Sequence, residues 1–328
     1  MTKPRVFVTR IILDQGMSLI SKFCDADVWL DELPPGRDVI LERARGMDGL
    51  LCLLTDRIDG EMMEAIGPRL RVISNHAVGY DNIDVAAASA RGIPVGNTPG
   101  ILTDATADMA FALLMAAGRR VVEGDRLVRS GGWKTWNPSF MLGADFAGTT
   151  LGIVGFGRIG RAVARRATGF GMRILYYDPC PAAAEPGVAA EPVDLDALLR
   201  AADFVSIHTP LNDETRHLVD AAFLARMKPT AILINTARGP IVDQQALYDA
   251  LKSRRIFAAG LDVTDPEPLP GDSPLLELDN LVVCPHIASA SWSTRARMSL
   301  LAAENLIAGL KGERLPHCIN PEVYSARR

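Results

Sequence analysis

The chain has 328 residues, 48% hydrophobic and 23% charged, so it can bury large cores and lacks the composition of a disordered chain. At roughly 150 residues per domain, two domains are expected. The net charge of -4 is scattered without a basic tract, which gives no footing to nucleic acid or an anionic membrane as partner. The five cysteines (24, 52, 180, 284 and 318) are odd in number, widely spaced and free of any CxxC, against both a disulfide framework and a zinc site. The start, "MTKPRVFVTR", enters a strand without an apolar leader, and the longest apolar stretch, 109–118, is too short to span a bilayer. A reducing cytoplasm and no membrane are the expectation.

Strand candidates in the first hundred residues are 5–9, 27–30, 49–54, 70–75 and 93–97, with helical stretches between them. Apolar strand runs alternating with helices predict a parallel sheet covered on both faces. A long helix is predicted over 103–131, with Thr103, Asp104 and Asp108 suiting its N-terminus. An aromatic loop, "GGWKTWNPSF", follows. A second α/β unit opens at 150–178 and continues through strand candidates 203–210, 231–238, 258–263 and 280–286. One more helix, about 292–310, closes the chain. The small-residue stretch "PCPAAAEPG" reads as a loop.

Gly155, Gly157 and Gly160 form G-x-G-x-x-G, a weak signal alone but here preceded by the strand "TLGIV" and followed by the helix "RIGRAVARRATGF". The first glycine permits a tight turn, the second lets backbone reach a pyrophosphate, and the third lets helix and strand pack closely. The phosphates would then meet the positive end of a helix, with Phe156, Arg158 and Ile159 between the glycines also expected at the cofactor. Asp178, ending the next strand, can accept both hydroxyls of an adenosine ribose and would repel a 2′-phosphate, favouring NAD over NADP.

Three further segments end on polar groups. "NTARGPIVD" sets Arg238 past one strand, "GLDVTDPEPLP" sets Glu267 after the next, and "VVCPHIASAS" sets His286 at the end of the one after that. Ligands of open parallel sheets bind at carboxyl strand ends. An arginine fork can bind a 2-oxo acid's carboxylate and polarise its carbonyl. A histidine has the pKa to supply a proton near neutrality, and a carboxylate on its other nitrogen would orient the ring and favour the imidazolium. Alone, His286 is as readily a packed core histidine; beside the other two and the glycine motif it reads as the proton donor. His76, His208, His217 and His317 read as structural or surface residues, with His208 near the cofactor.

The stretches "NHAVGYDNIDV", "VGNTPGILTDATADMAFALL", "GFGRIGRAVARRATGFGM", "NTARGPIVD", "GLDVTDPEPLP", "PHIASA" and "MSLLAAENLIAGLKGE" together resemble the D-isomer-specific 2-hydroxyacid dehydrogenase family, over essentially the whole chain. The likeness is strongest to its glyoxylate/hydroxypyruvate reductase branch. The resemblance implies two Rossmann-like or flavodoxin-like parallel-sheet α/β domains with a cleft between them. The substrate-binding domain would be discontinuous, 1–99 plus 287–328, and the NAD-binding domain would be 100–286. It implies Arg238, Glu267 and His286 as catalytic residues and the amides of Val78 and Gly79 as holders of the substrate carboxylate. Asp262 would approach the nicotinamide carboxamide, with a strand-end cap as the bland alternative, and Thr209, Pro210 and Ala237 would line the cofactor. Trp136 resembles a tryptophan that reaches into a neighbouring subunit's site, with an ordinary interface or packing aromatic as the alternative; either way a homodimer is expected, formed mainly through the NAD-binding domain.

Leu53 and Leu54 are candidates for an apolar pocket wall, with plain core packing as the bland alternative. No extra basic residue near 74–80 offers a second anion site, so glyoxylate or hydroxypyruvate is expected, with 2-ketogluconate as rival. A non-catalytic NAD-sensing module stays open as a different class, since co-repressors of this fold keep the same three residues. Formate dehydrogenase is disfavoured, because that branch lacks the glutamate and Glu267 is present.

Overall fold

In the computed structural model the structure describes residues 2–180 and 185–325; four residues of the small-residue loop, 181–184, lie outside them. The chain divides into two compact units, Met1–Leu102 with Ala290–Arg328, and Thr103–Ser289.

The first unit is built on β1 (Arg5–Val8), β2 (Asp25–Val28), β3 (Gly49–Cys52), β4 (Val72–Asn75) and β5 (Val95–Gly96). These form one all-parallel sheet in the order β2-β1-β3-β4-β5. Helices α1 (Asp14–Phe23), α2 (Arg37–Ala44), α3 (Gly60–Ile66) and α4 (Val85–Ala90) connect the strands. Side-chain alternation feeds two cores. Val6, Val8 and Leu51 enter one, while Phe7, Leu50 and Ile73 enter the other. Both faces are covered, which is why β3 and β4 are buried at every residue.

The second unit starts with α5 (Thr103–Gly118) and α6 (Val121–Arg129). Its strands are β6 (Thr150–Val154), β7 (Arg173–Tyr177), β8 (Ala190–Pro192), β9 (Phe204–Ile207), β10 (Ile232–Asn235), β11 (Ala258–Leu261) and β12 (Leu281–Val283). They form a second parallel sheet, β12-β11-β10-β9-β6-β7-β8. The helices α7 (Arg158–Gly169), α8 (Leu195–Ala201), α9 (Ala221–Arg226) and α10 (Gln244–Lys252) alternate with these strands. Strand order reverses between β6 and β9, and that switch point is where α/β sheets bind ligands. The chain then returns to the first unit as α11 (Trp292–Lys311), capped by the Ser291 side chain and ended by a left-handed Gly312.

Two expectations from sequence change, and one strand is new. The single helix over 103–131 is two helices, broken where Arg120 takes a left-handed backbone (φ 55°). The Arg120 guanidinium meets Glu123 at 2.8 and 2.6 Å on the first turn of α6. The second strand lies at 25–28 rather than 27–30, because this edge strand is partly exposed and its apolar pattern is weak. β8 was not anticipated; Ala-Glu-Pro carries no apolar signal and, as an edge, tolerates proline.

Candidate active site

Five neighbouring strands of the second sheet deliver the predicted polar groups along one carboxyl edge. His286 follows β12, Asp262 and Glu267 follow β11, Arg238 follows β10, Thr209 and Pro210 follow β9, and Gly155 follows β6. Residues far apart in sequence therefore become lateral neighbours.

The His286 Nδ1 lies 2.9 Å from Glu267 Oε2. The other carboxylate oxygen, Oε1, accepts the Thr264 N–H at 3.0 Å. With both oxygens held, the carboxylate cannot swing away from the ring. Burial acts to raise the Glu267 carboxyl, but the hydrogen bond and charge of His286, the Thr264 amide and the Arg238 charge outweigh it and hold it below the usual carboxylate range. The His286 and Glu267 side chains keep 25% and 32% of their surface exposed, so the pair is reachable from solvent. His286 itself has φ +53°, a left-handed conformation uncommon outside glycine and worth a functional explanation.

Arg238 sits on a turn shaped by Asn235. The Asn235 Nδ2 donates to Arg238 O at 2.8 Å, and its Oδ1 accepts the Ala237 N–H at 3.0 Å. Asn235 and Thr264 thus support the catalytic candidates, although sequence reading singled out neither. The repeated small polar residues flanking "NTAR" and "DVTDPE" were the available signal.

The glycine loop fits a dinucleotide. Gly155 has φ +92°, and a Cβ there would lie 2.7 Å from backbone of His208 and Thr209. A Cβ at Gly160 would meet Gly155 O at 2.2 Å, so helix and turn are in direct contact. At Gly157 a Cβ would meet nothing within 4 Å. The protein itself does not require glycine at 157, whereas a phosphate approaching the backbone would. No side chain caps the start of α7, so the first amides of the helix, at Arg158 and Ile159, are left for an anion. Phe156 turns its ring into the core, stacked on Tyr176 at 4.0 Å, and gives its N–H to Asp178 Oδ2 at 2.7 Å. Asp178 Oδ1 accepts the Cys180 N–H at 2.9 Å. The carboxylate is thus fixed beside the glycine turn.

In the first unit, Ala77 O accepts the Thr98 N–H at 2.9 Å, and Val78 O accepts Asn97 Nδ2 at 2.8 Å. Trans peptides then turn the N–H groups of Val78 and Gly79 to the opposite side, away from these partners. Leu53 lines a cavity of about 770 Å³ together with Leu13, His76, Trp292 and Arg295, while Leu54 is half-buried. Trp136 lies in the aromatic loop of the second unit and is 77% exposed.

The other buried histidines are poor proton carriers. Burial pushes His208 down to about 3, and burial with the Arg295 charge pushes His76 down to about 4. His208 Nε2 lies 2.8 Å from Ser206 Oγ, and His76 Nε2 lies 3.0 Å from Ser299 Oγ. Both stay neutral at physiological pH. No helix among the described residues is long and apolar enough to cross a membrane.

Residues 111–288 match the family described as D-isomer specific 2-hydroxyacid dehydrogenase, NAD binding domain. A glyoxylate reductase of Korarchaeum cryptofilum is 58% identical over 327 residues, covering 99% of this chain and 98% of that protein. The crystal structure of the TT0316 protein from Thermus thermophilus superposes with TM-score 0.90 at 46% identity, over 96% of this chain and 99% of the other. An NADPH-dependent glyoxylate/hydroxypyruvate reductase from Sinorhizobium meliloti, solved with NADP and malonate, gives TM-score 0.84 at 31% identity over 98% of both chains. The chain belongs to the D-isomer specific 2-hydroxyacid dehydrogenase family and is an NAD(P)-dependent oxidoreductase.

Proposed function

We propose that this protein reduces a small 2-oxo acid, glyoxylate or hydroxypyruvate, to the D-2-hydroxy acid, with NADH as the preferred reductant and His286 as proton donor. The observation that carries the reading is the 2.9 Å contact between His286 Nδ1 and Glu267 Oε2, one strand from Arg238. The 58% identity to a protein named glyoxylate reductase supports the substrate.

The bound dinucleotide supplies the hydride for C2 of the substrate. Arg238 takes the substrate carboxylate and polarises the carbonyl with its planar fork. By family likeness the amides of Val78 and Gly79 also hold that carboxylate. With Nδ1 occupied by Glu267, His286 gives its proton from Nε2 to the oxygen that becomes the hydroxyl. Glu267 keeps the ring turned. In the oxidative direction the neutral ring takes the proton back.

The loops after β6 and β9, with Ala237, would hold the cofactor, and Asp178 supports the preference for NADH. Its fixed carboxylate would accept ribose hydroxyls and repel a 2′-phosphate. On α7, Arg161 and Arg165 are engaged by Glu185. Replacing Asp178 by alanine is expected to lower kcat/KM for NADH about 10–100-fold, the loss of one or two charge-assisted hydrogen bonds, with NADPH affected less. A wild type that prefers NADPH would remove this part of the reading.

The exposed aromatic loop, with Trp133 57%, Trp136 77% and Leu142 64% exposed, supports a homodimer, since such apolar patches mark contact surfaces. Sedimentation velocity at micromolar concentration tests it, and a monomer there would overturn it. Five free thiols suit a reducing cytoplasm. The reaction itself is tested by NADH oxidation at about 340 nm with glyoxylate, hydroxypyruvate, pyruvate and 2-ketogluconate. Cofactor binding without turnover of any of them would favour the NAD-sensing module instead.

A further inference from the structure

The end of β11 holds the start of the His286 turn through a single residue. β11 and β12 are parallel with Leu261 opposite Val283, and their ladder runs on past both strands. Cys284 N–H donates to Leu261 O, and His286 N–H donates to Asp262 O, each at 2.8 Å. The chain then turns through the left-handed His286. The next two amides, of Ile287 and Ala288, donate to Asp262 Oδ1 and Oδ2, again at 2.8 Å each. Asp262 therefore accepts three consecutive amides, one on its carbonyl and two on its carboxylate. The residue is only 1% exposed.

A buried carboxylate is a costly choice for capping a strand end. Burial pushes the Asp262 carboxyl above its usual range, and the Ile287 and Ala288 amides and the His286 charge oppose that shift. Asparagine would avoid burying a charge, but its amide has one acceptor oxygen where the carboxylate has two, so the Ile287 and Ala288 amides could no longer each keep an oxygen of their own, and the NH2 that replaces the second oxygen would face an amide donor. Serving both is what the turn demands, because a histidine in left-handed backbone persists only where its surroundings over-determine it. Glu267, five residues further along the same exit from β11, fixes the ring.

We propose that Asp262 is a positioning residue for His286: it clamps amides 286–288, holds His286 in its left-handed conformation, and so sets the point from which the imidazole reaches the substrate. This role concerns the protein's own backbone and differs from the contact with the nicotinamide carboxamide that family resemblance implies for Asp262. It rests on the reading of His286 as proton donor.

The test compares Asp262→Asn and Asp262→Ala with wild type by three readouts. In the cofactor-free protein, hydrogen exchange at the Ile287 and Ala288 amides should speed up in both variants. In glyoxylate reduction, kcat should fall at least about 100-fold in both, the scale expected for a misplaced catalytic group. NADH affinity, followed by fluorescence, should fall far less than kcat, separating a lost positioning role from lost cofactor binding. An Asn variant with wild-type kcat would overturn the proposal, as would a loss confined to NADH affinity. A lower melting temperature with unchanged kcat and pH profile in the folded fraction would mark a merely structural role and also overturn it.

Should Asp262→Asn fail to fold alone, the same change in a His286→Gly background keeps the question open to experiment. Glycine has no left-handed strain to restrain. Asp262→Asn should then fold in that background with a measurable denaturation midpoint, and failure to fold there as well would sink the clamp. If the wild type reduces no 2-oxo acid, the functional reading fails, while the exchange rates at 287 and 288 still report on the clamp by themselves.

Discussion

Replacing His286 with asparagine is expected to lower kcat for NADH-dependent glyoxylate reduction by about 10²–10⁴-fold, the range for removing a general acid. Asparagine is the informative choice because it tolerates the φ of +53° at this position, whereas alanine would add backbone strain to the loss of the ring. NADH binding should survive, since the glycine loop and Asp178 lie on other strands of the sheet. Steady-state kinetics beside a fluorescence titration separates the two effects, and a variant with near wild-type kcat would end the proton-donor assignment. A companion variant, Glu267→Gln, keeps an acceptor for Nδ1 but removes the carboxylate charge beside the ring. kcat should then fall about tenfold or more, the ring having exchanged a charge-assisted partner for a neutral one, and an unchanged kcat would remove the orienting role of Glu267.

Arg238→Lys should cost about 2.7–4 kcal/mol of transition-state stabilisation, or about 10²–10³ in kcat/KM, because a point charge cannot reproduce two parallel hydrogen bonds to carboxylate and carbonyl. The lysine variant isolates the fork from the charge. Arg238 is among the groups that hold the Glu267 carboxyl down, so alanine would disturb both residues at once. The decisive comparison is kcat/KM for glyoxylate in wild type, Lys and Ala variants. A lysine variant within a few-fold of wild type would show that charge alone suffices and that no bidentate contact is made.

Much of this site was readable in the sequence because its parts are local. A glycine motif between a buried strand and a helix is a contiguous signal, and so is a titratable residue just past an apolar strand run. Residues 155–160, Asp178, Arg238, Glu267 and His286 could be named that way, as could the alternation that makes both sheets parallel. Local pattern failed where the deciding interaction was not local. The break at Arg120 depends on a backbone conformation that no periodicity announces. β8 is held by its pairing with β7, against its own composition. The aspartate at 262 carried a recognisable resemblance, yet its partners lie 25 and 26 residues downstream.

The sequence by itself determined the chemistry on offer: which side chains can hold a carboxylate, carry a proton or meet a ribose, and which strand each one follows. Only the tertiary structure decided that β12, β11, β10, β9 and β6 stand side by side, so that groups separated by tens of residues share one edge. It alone decided that His286 is left-handed and that burial keeps His76 and His208 neutral while Glu267 stays ionised. The physical reason is common to all of these. Residue identity fixes what a group can do, but strand order, burial and backbone dihedrals arise from long-range packing, and these decide which groups meet and in which protonation state.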